Sequence, residues 1–286
     1  MKIIVTGAQG QLGYDLVNYF SPHHEVTGID INECDITNEV ALRSCIEEIQ
    51  PHYIIHPAAY TAVDTAEHEP ERAYKVNCEA VGYIAQAARD IGATVIMYST
   101  DYVFDGKKKT PYKETDKTNP INVYGKTKLE GEEKLRSILK EHFILRISWL
   151  CGHHGNNFLK TMLRLAEEHK TIRVVADQVG TPTFTRAVTV QTAQLLNSEQ
   201  YGVYHSTCHG SCTWYDFAQA IFKQAGKTGI TVTPVSTAEF PTPAARPQHS
   251  ILENAALQKI GLDVMPDWKT ALKDFFDTMP DEIANA

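Results

Sequence analysis

Apolar positions along the first half of the chain follow two rhythms. Short apolar runs at Lys2–Thr6, Glu25–Asp30, Tyr53–His56, Thr94–Ser99, Phe143–Ser148 and Ile172–Val175 predict strands. Between them, Gln11–Phe20, Glu39–Ile49, Glu71–Ile91 and Val123–Leu139 carry apolar residues at helical spacing. Strand and helix in alternation is the pattern of βαβ units wound on a parallel sheet. After about Trp149 the rhythm breaks, with Pro182, Pro234, Pro241, Pro243 and Pro247 among shorter elements. The pattern predicts an α/β protein: a doubly wound parallel sheet in residues 1–149, and a smaller mixed lobe mainly from residues 150–286. Residues of about 171–176 and 185–206 are expected to return to the sheet.

Composition narrows the partners. Apolar residues make up 43% and charged residues 22%, close to the globular average. Lys plus Arg number 27 against 35 Asp plus Glu, a net charge of −8, and the longest basic run is Lys107-Lys108-Lys109. Nucleic acid and anionic membrane surfaces are therefore poor partners. No apolar stretch approaches the roughly 20 residues of a membrane span, and Met1 to Gly7 lacks the apolar core of a secretion signal. Six cysteines are too dilute for a disulfide framework. The chain reads as a soluble cytoplasmic protein with reduced thiols.

Candidate chemistry begins at the first strand-to-helix turn. Gly7, Gly10 and Gly13 in Gly7-Ala8-Gln9-Gly10-Gln11-Leu12-Gly13 would let the backbone turn tightly and approach a pyrophosphate at the positive end of a helix dipole. Asp30 ends the second strand 17 residues after Gly13, where a carboxylate accepts bonds from an adenosine ribose; a helix cap or loop acid is the alternative. Tyr124 and Lys128 stand at i and i+4 near the start of a helix and so project from one face. An ammonium beside a phenol favours the phenolate, which predicts that Lys128 lowers the pKa of Tyr124 toward the range of a working acid. Ser99-Thr100-Asp101 ends the fourth strand, and hydroxyls at the carboxyl end of a parallel strand face the ligand crevice.

Glycine turn, strand-end hydroxyl and Tyr-x-x-x-Lys, in this order, resemble the extended short-chain dehydrogenase/reductase family in its nucleotide-sugar branch. The likeness extends through Ala58-Ala59-Tyr60-Thr61-Ala62-Val63-Asp64, Arg146-Ile147-Ser148-Trp149, Gly155-Asn156-Asn157-Phe158, Asp177-Gln178-Val179-Gly180-Thr181-Pro182-Thr183 and Ala245-Arg246-Pro247. The resemblance implies a Rossmann-type fold and reduction of the C4 ketone of a dTDP-6-deoxy-hexulose. It makes Tyr124 the proton donor, Lys128 its tuning partner, and Thr100 the group that polarises the carbonyl. Cofactor contacts carried over are Gly10, Gln11 and Leu12 at the pyrophosphate, Asp30 at the ribose, Asp35 and Ile36 at the adenine, and Ala59, Tyr60 and Thr61 near the nicotinamide. Asp101 and Trp149 match sugar-contacting positions, although Trp149 is equally readable as a core aromatic. NADH or NADPH is implied, Asp30 favouring NADH by repelling a 2′-phosphate.

The same resemblance leaves alternatives. Dehydratases of this branch carry Thr-Asp-Glu at the strand end, and here the third residue is Tyr102. Another nucleotide-sugar 4-ketoreductase or an epimerase would share the triad. A non-catalytic subunit is a further reading, because the regulatory subunit of methionine adenosyltransferase resembles these reductases. His205, Cys208, His209 and Cys212 superficially imitate a zinc set, but their context reads as strand, loop and capped helix, so no metal ligand is assigned. Some such reductases bind magnesium at a dimer contact, which leaves magnesium and a monomer or homodimer open. Arg246 reads either as a diphosphate partner or as an exposed loop residue.

Overall fold

The structure is a computed structural model and describes residues 1–280. Five strands, β1 (Lys2–Thr6), β2 (Glu25–Ile29), β3 (Tyr53–His56), β4 (Thr94–Thr100) and β5 (His142–Ile147), form a sheet with a sixth, Gly202–His205. The order runs from Gly202–His205 through β5, β4, β3 and β1 to β2, and every pairing is parallel. β1 lies between β2 and β3, so the winding direction reverses there and opens a crevice at the carboxyl ends of the strands.

Helices cover both faces, which is why the inner strands are apolar on both sides. Ile3, Val5, Ile55, Ile96 and Leu145 face helix α1 (Gln11–Phe20) and the helix Thr185–Leu196. Ile4, Ile54, Val95, Met97 and Ile144 face helix α2 (Glu39–Ile49) and the helices Ala80–Ile91 and Val123–Ile138. The first of these cores runs without a break into Phe217, Ile221, Trp268 and Phe275. The C-terminal third thus packs on the sheet's own core.

Two elements depart from the sequence pattern. Thr171–Val175, expected to return to the sheet, pairs instead with Thr231–Val235 as a separate parallel pair that buries Ile172 and Val174. The place beside β5 is taken by Gly202–His205, with Val203 opposite Ile144. The segment Glu71–Ile91, continuous in apolar period, is divided into Pro70–Tyr74, a π-helical turn Lys75–Glu79 and Ala80–Ile91. The extra residue of a π turn shifts the phase of the apolar stripe by one position, and the Ala-rich run Ala80–Ile91, apolar on several faces, conceals the slip. It turns the buried Asn77 inward, where its amide accepts from the Tyr60 N–H at 2.9 Å and donates to the Tyr60 carbonyl at 3.2 Å and to Thr127 Oγ1 at 3.1 Å.

Candidate active site

One cleft of about 850 Å³ follows the carboxyl ends of the strands from Asp30 to Trp149. Its far end is made of backbone. Gly7 turns at φ +59°, a left-handed conformation that glycine adopts without steric cost. A Cβ on Gly13 would lie 2.0 Å from the Gly7 carbonyl oxygen, so glycine alone lets the first turn of α1 press against the loop. The N-cap of α1 is Gly10, without a capping side chain, and its first turn holds no acidic residue. The Gly10 N–H closes the turn onto the Gly7 carbonyl at 2.9 Å, so Gln11 and Leu12 present the free N–H groups and the positive end of the helix to the cleft, with Gly10 beside them on its wall. That is the donor set a pyrophosphate fits.

Side chains finish this end. Asp30 takes one backbone N–H on each oxygen, from Gln9 at 3.0 Å and Ile31 at 2.8 Å, which orients the carboxylate and leaves a lone pair on each for a hydroxyl. Asp35 accepts from the Thr37 N–H and hydroxyl, which hold its pKa below the usual range, and Ile36 lies beside it on the wall. Ala59 and Thr61 line the cleft as well. Tyr60 does not: its backbone is held by Asn77, and its phenol donates to Glu69 Oε2 at 2.9 Å. Tyr60 thus stands between Ala59 and Thr61 with its side chain turned to Glu69 and away from the cleft wall.

Buried side chains build the near end. Asn122 caps the helix Val123–Ile138, its Oδ1 accepting from the Gly125 N–H at 2.7 Å, and this fixes the turn that carries Tyr124. Thr100 at the end of β4, Tyr124 and Lys128 all line the cleft. Burial pushes the Tyr124 phenol up to about 12, against the pull of the Thr100 hydroxyl. The expected lowering by Lys128 is not what the geometry produces. Lys128 is 2% exposed, donates to the Tyr98 carbonyl at 2.6 Å, and is itself pushed down to about 8 by burial. Asp101, equally buried, is pushed up to about 6 by desolvation. Its Oδ1 accepts from the Thr100 hydroxyl at 3.0 Å, while Oδ2 has no partner among the described residues.

Trp149 forms the wall beyond. Its backbone is left-handed at φ +46°, a strained geometry for an aromatic residue, and its ring stacks on Trp214 at 3.4 Å between centroids and 9° between planes. Trp149 is thus both a cleft residue and part of an aromatic pair. Sequence reasoning passed over Trp214 and Asn77, which reach the site only through these tertiary contacts.

The remaining candidates have other partners. Arg246 forks onto Asp64, Nη1 to Oδ1 and Nη2 to Oδ2 both at 2.7 Å, tying the short helix Val63–Ala66 to the loop Ala245-Arg246-Pro247. Asn122 Nδ2 holds the same loop through the Ala245 carbonyl at 2.7 Å. His205 Nδ1 lies 3.0 Å from the Glu253 carbonyl, and His209 Nε2 is 3.3 Å from Asp263. Burial raises the thiol pKa values of Cys208 and Cys212. Among the described residues no three His, Cys, Asp or Glu side chains are gathered where they could hold a metal, so the magnesium expectation gains no support. No helix is long and apolar enough to cross a membrane among those residues.

A family model described as the RmlD substrate binding domain matches residues 1–280. The dTDP-4-dehydrorhamnose reductase of Aggregatibacter actinomycetemcomitans is 42% identical over 96% of this chain and 97% of its own length. The chain belongs to the dTDP-4-dehydrorhamnose reductase family. A crystal structure of such a reductase from Clostridium acetobutylicum superposes with a TM-score of 0.95 at 43% identity, covering 97% of this chain and 99% of that one. The Bacillus anthracis dTDP-4-dehydrorhamnose reductase, solved in complex with NADP, gives 0.94 at 42% identity, with 96% and 98% covered. The family's fold therefore extends over nearly the whole molecule, site included.

Proposed function

We propose that this chain reduces the C4 ketone of dTDP-4-dehydrorhamnose (dTDP-4-dehydro-6-deoxy-L-mannose) to dTDP-L-rhamnose with NADH or NADPH, in the cytoplasm, for cell-surface polysaccharide. The observation that carries the reading is the meeting of Thr100, Tyr124 and Lys128 in the same cleft as the open N-terminus of α1. The cleft suits a nicotinamide dinucleotide: uncapped N–H groups for the diphosphate, an oriented Asp30 for the ribose, and glycines where a Cβ would intrude. When bound, that cofactor supplies the hydride.

The chain's own groups handle the oxygen. A phenol with its pKa near 12 keeps its proton at neutral pH, the state a reduction requires of its acid. Tyr124 releases that proton as C4 gains hydride and its oxygen becomes the stronger base. Thr100 turns its hydroxyl proton from Asp101 to the carbonyl oxygen, adding a hydrogen bond that strengthens as charge develops there. Lys128 spends one N–H on the Tyr98 carbonyl and keeps two donors for the nicotinamide ribose. Tyr102 lies edge-on to Tyr124 at 5.8 Å, so the residue after Asp101 brings an aromatic edge rather than a carboxylate to the proton donor. Asp101 and Trp149 are the groups proposed to hold the sugar.

The test converts dTDP-glucose with its 4,6-dehydratase and the following 3,5-epimerase, then adds this protein with either dinucleotide. Oxidation of the nicotinamide with dTDP-rhamnose appearing is the expected result, and the faster dinucleotide is the preferred one. Protein that binds a dinucleotide yet oxidises neither would overturn the reading in favour of another sugar nucleotide or a non-catalytic subunit.

A further inference from the structure

Beneath the proposed catalytic groups lies a buried ion cluster that the reaction as written does not use. Glu132 is fully buried and Arg146 is 4% exposed. Arg146 donates from Nη2 to Glu132 Oε2 at 2.6 Å and from Nε to Oε1 at 2.9 Å, and the Ser99 hydroxyl donates to the same Oε1. Desolvating two such charges offsets much or all of their attraction, so stability alone is a weak reason for the pair. Its three members sit on the three elements that carry the near end of the cleft. Ser99 precedes Thr100 on β4, Glu132 stands one helical turn below Lys128, and Arg146 on β5 lies opposite Ser99 and three residues before Trp149.

We propose that Glu132 is a positioning residue for Lys128 and Thr100, its carboxylate locking β4, β5 and the Tyr124 helix into one unit and setting the electrostatic environment of the Lys128 ammonium. The assignment of what is positioned rests on the reductase reading above. Lys128 shares a helix face with Tyr124 and Glu132, donates to the Tyr98 carbonyl on β4, and has His56 at the end of β3 within electrostatic reach. His56 is buried, pushed down to about 3 by desolvation, and so carries no charge at neutral pH. Of these neighbours Glu132 is the one that raises the Lys128 pKa against its burial. Arg146 is held in turn by Glu132 and lies 5.3 Å over the Phe104 ring.

The test uses the full chain carrying Glu132→Gln, and a double variant in which Arg146→Met accompanies it. The double variant removes both charges at similar volume, a change that buried pairs often tolerate. Three quantities are read: the melting temperature, kcat and KM with the sugar nucleotide across pH, and the titration of Lys128 by lysine side-chain NMR, its signal assigned with Lys128→Arg. Glu132→Gln should melt lower than the parent because Arg146 is left unpaired. The double variant should recover most of that loss yet keep kcat at least about tenfold down with KM within about threefold, and Lys128 should lose its proton at lower pH in both. A double variant with parental kcat and an unmoved Lys128 titration would overturn the proposal and leave Glu132 a structural residue. The NMR titration needs no turnover, so it decides the matter even if the parent fails to reduce this sugar nucleotide.

Discussion

The two ends of the cleft are built from different material. At the dinucleotide end the contacts come from main chain, with Gly7, Gly10 and Gly13 clearing space and the first turn of α1 supplying donors. At the carbonyl end they come from side chains that the fold has desolvated: Lys128, Asp101 and the Glu132 to Arg146 pair beneath them. A backbone site tolerates most side-chain changes and fails where a Cβ is added. A side-chain site fails when one oxygen or nitrogen is removed. Binding and chemistry should accordingly separate in variants.

The largest expected effect is at the carbonyl end. Tyr124→Phe removes one oxygen and should lower kcat by about 100-fold or more, as general acid catalysis is commonly worth 10² to 10⁴, with dinucleotide affinity within about threefold by fluorescence titration. Equal losses in both would erase the distinction between the ends. Gly13→Ala is the reciprocal variant. Its Cβ meets the Gly7 carbonyl, and overpacking of this kind costs about 1–3 kcal/mol; dinucleotide affinity should fall about tenfold or more by calorimetry, and kcat at saturating dinucleotide should fall far less.

A smaller effect is set by pH. The Lys128 pKa is lowered from 10.5 to about 8, so its ammonium is present below about pH 8 and lost as pH rises through that value. Turnover should therefore decline on the alkaline side of about pH 8, whereas an ordinary lysine would hold its charge for two further units; a flat profile to pH 10 would remove Lys128 from the account. Smallest is Asp30→Ala. Both carboxylate oxygens take backbone N–H bonds, so the change loosens the loop and removes the repulsion of a 2′-phosphate. The ratio of NADPH to NADH efficiency should rise severalfold, measured as kcat/KM for each.

The same contrast governs what the sequence made legible. Gly7, Gly10, Gly13 and the pair Tyr124 and Lys128 are local patterns, one turn and one helix face, so their combination in this order singled them out as candidates, and all five line the cleft. α1 and α2 were readable to the residue because their apolar stripes and breaks are local. The direction of the Tyr60 side chain was not legible because it is decided by Asn77 and Glu69, 17 and 9 residues away. The strand Thr171–Val175 was identified but assigned to the wrong sheet, since an apolar run does not name its partner. The Tyr124 pKa went the other way from expectation because burial, a tertiary quantity, outweighs the pull of the Thr100 hydroxyl. Glu132 left a trace that was not used: a carboxylate at i+4 from Lys128, on the face that Tyr124 and Lys128 turn inward.

On the proposed reading, the carbonyl end directs hydride to C4 of the sugar nucleotide. That step is tested most directly with reduced dinucleotide deuterated at the nicotinamide C4, followed by NMR of the sugar product. The expected product is dTDP-rhamnose with deuterium at C4 in the parent protein, nearly absent, at unchanged dinucleotide binding, in Tyr124→Phe. Deuterium at another carbon, or none in a protein that binds both ligands, would contradict that reading.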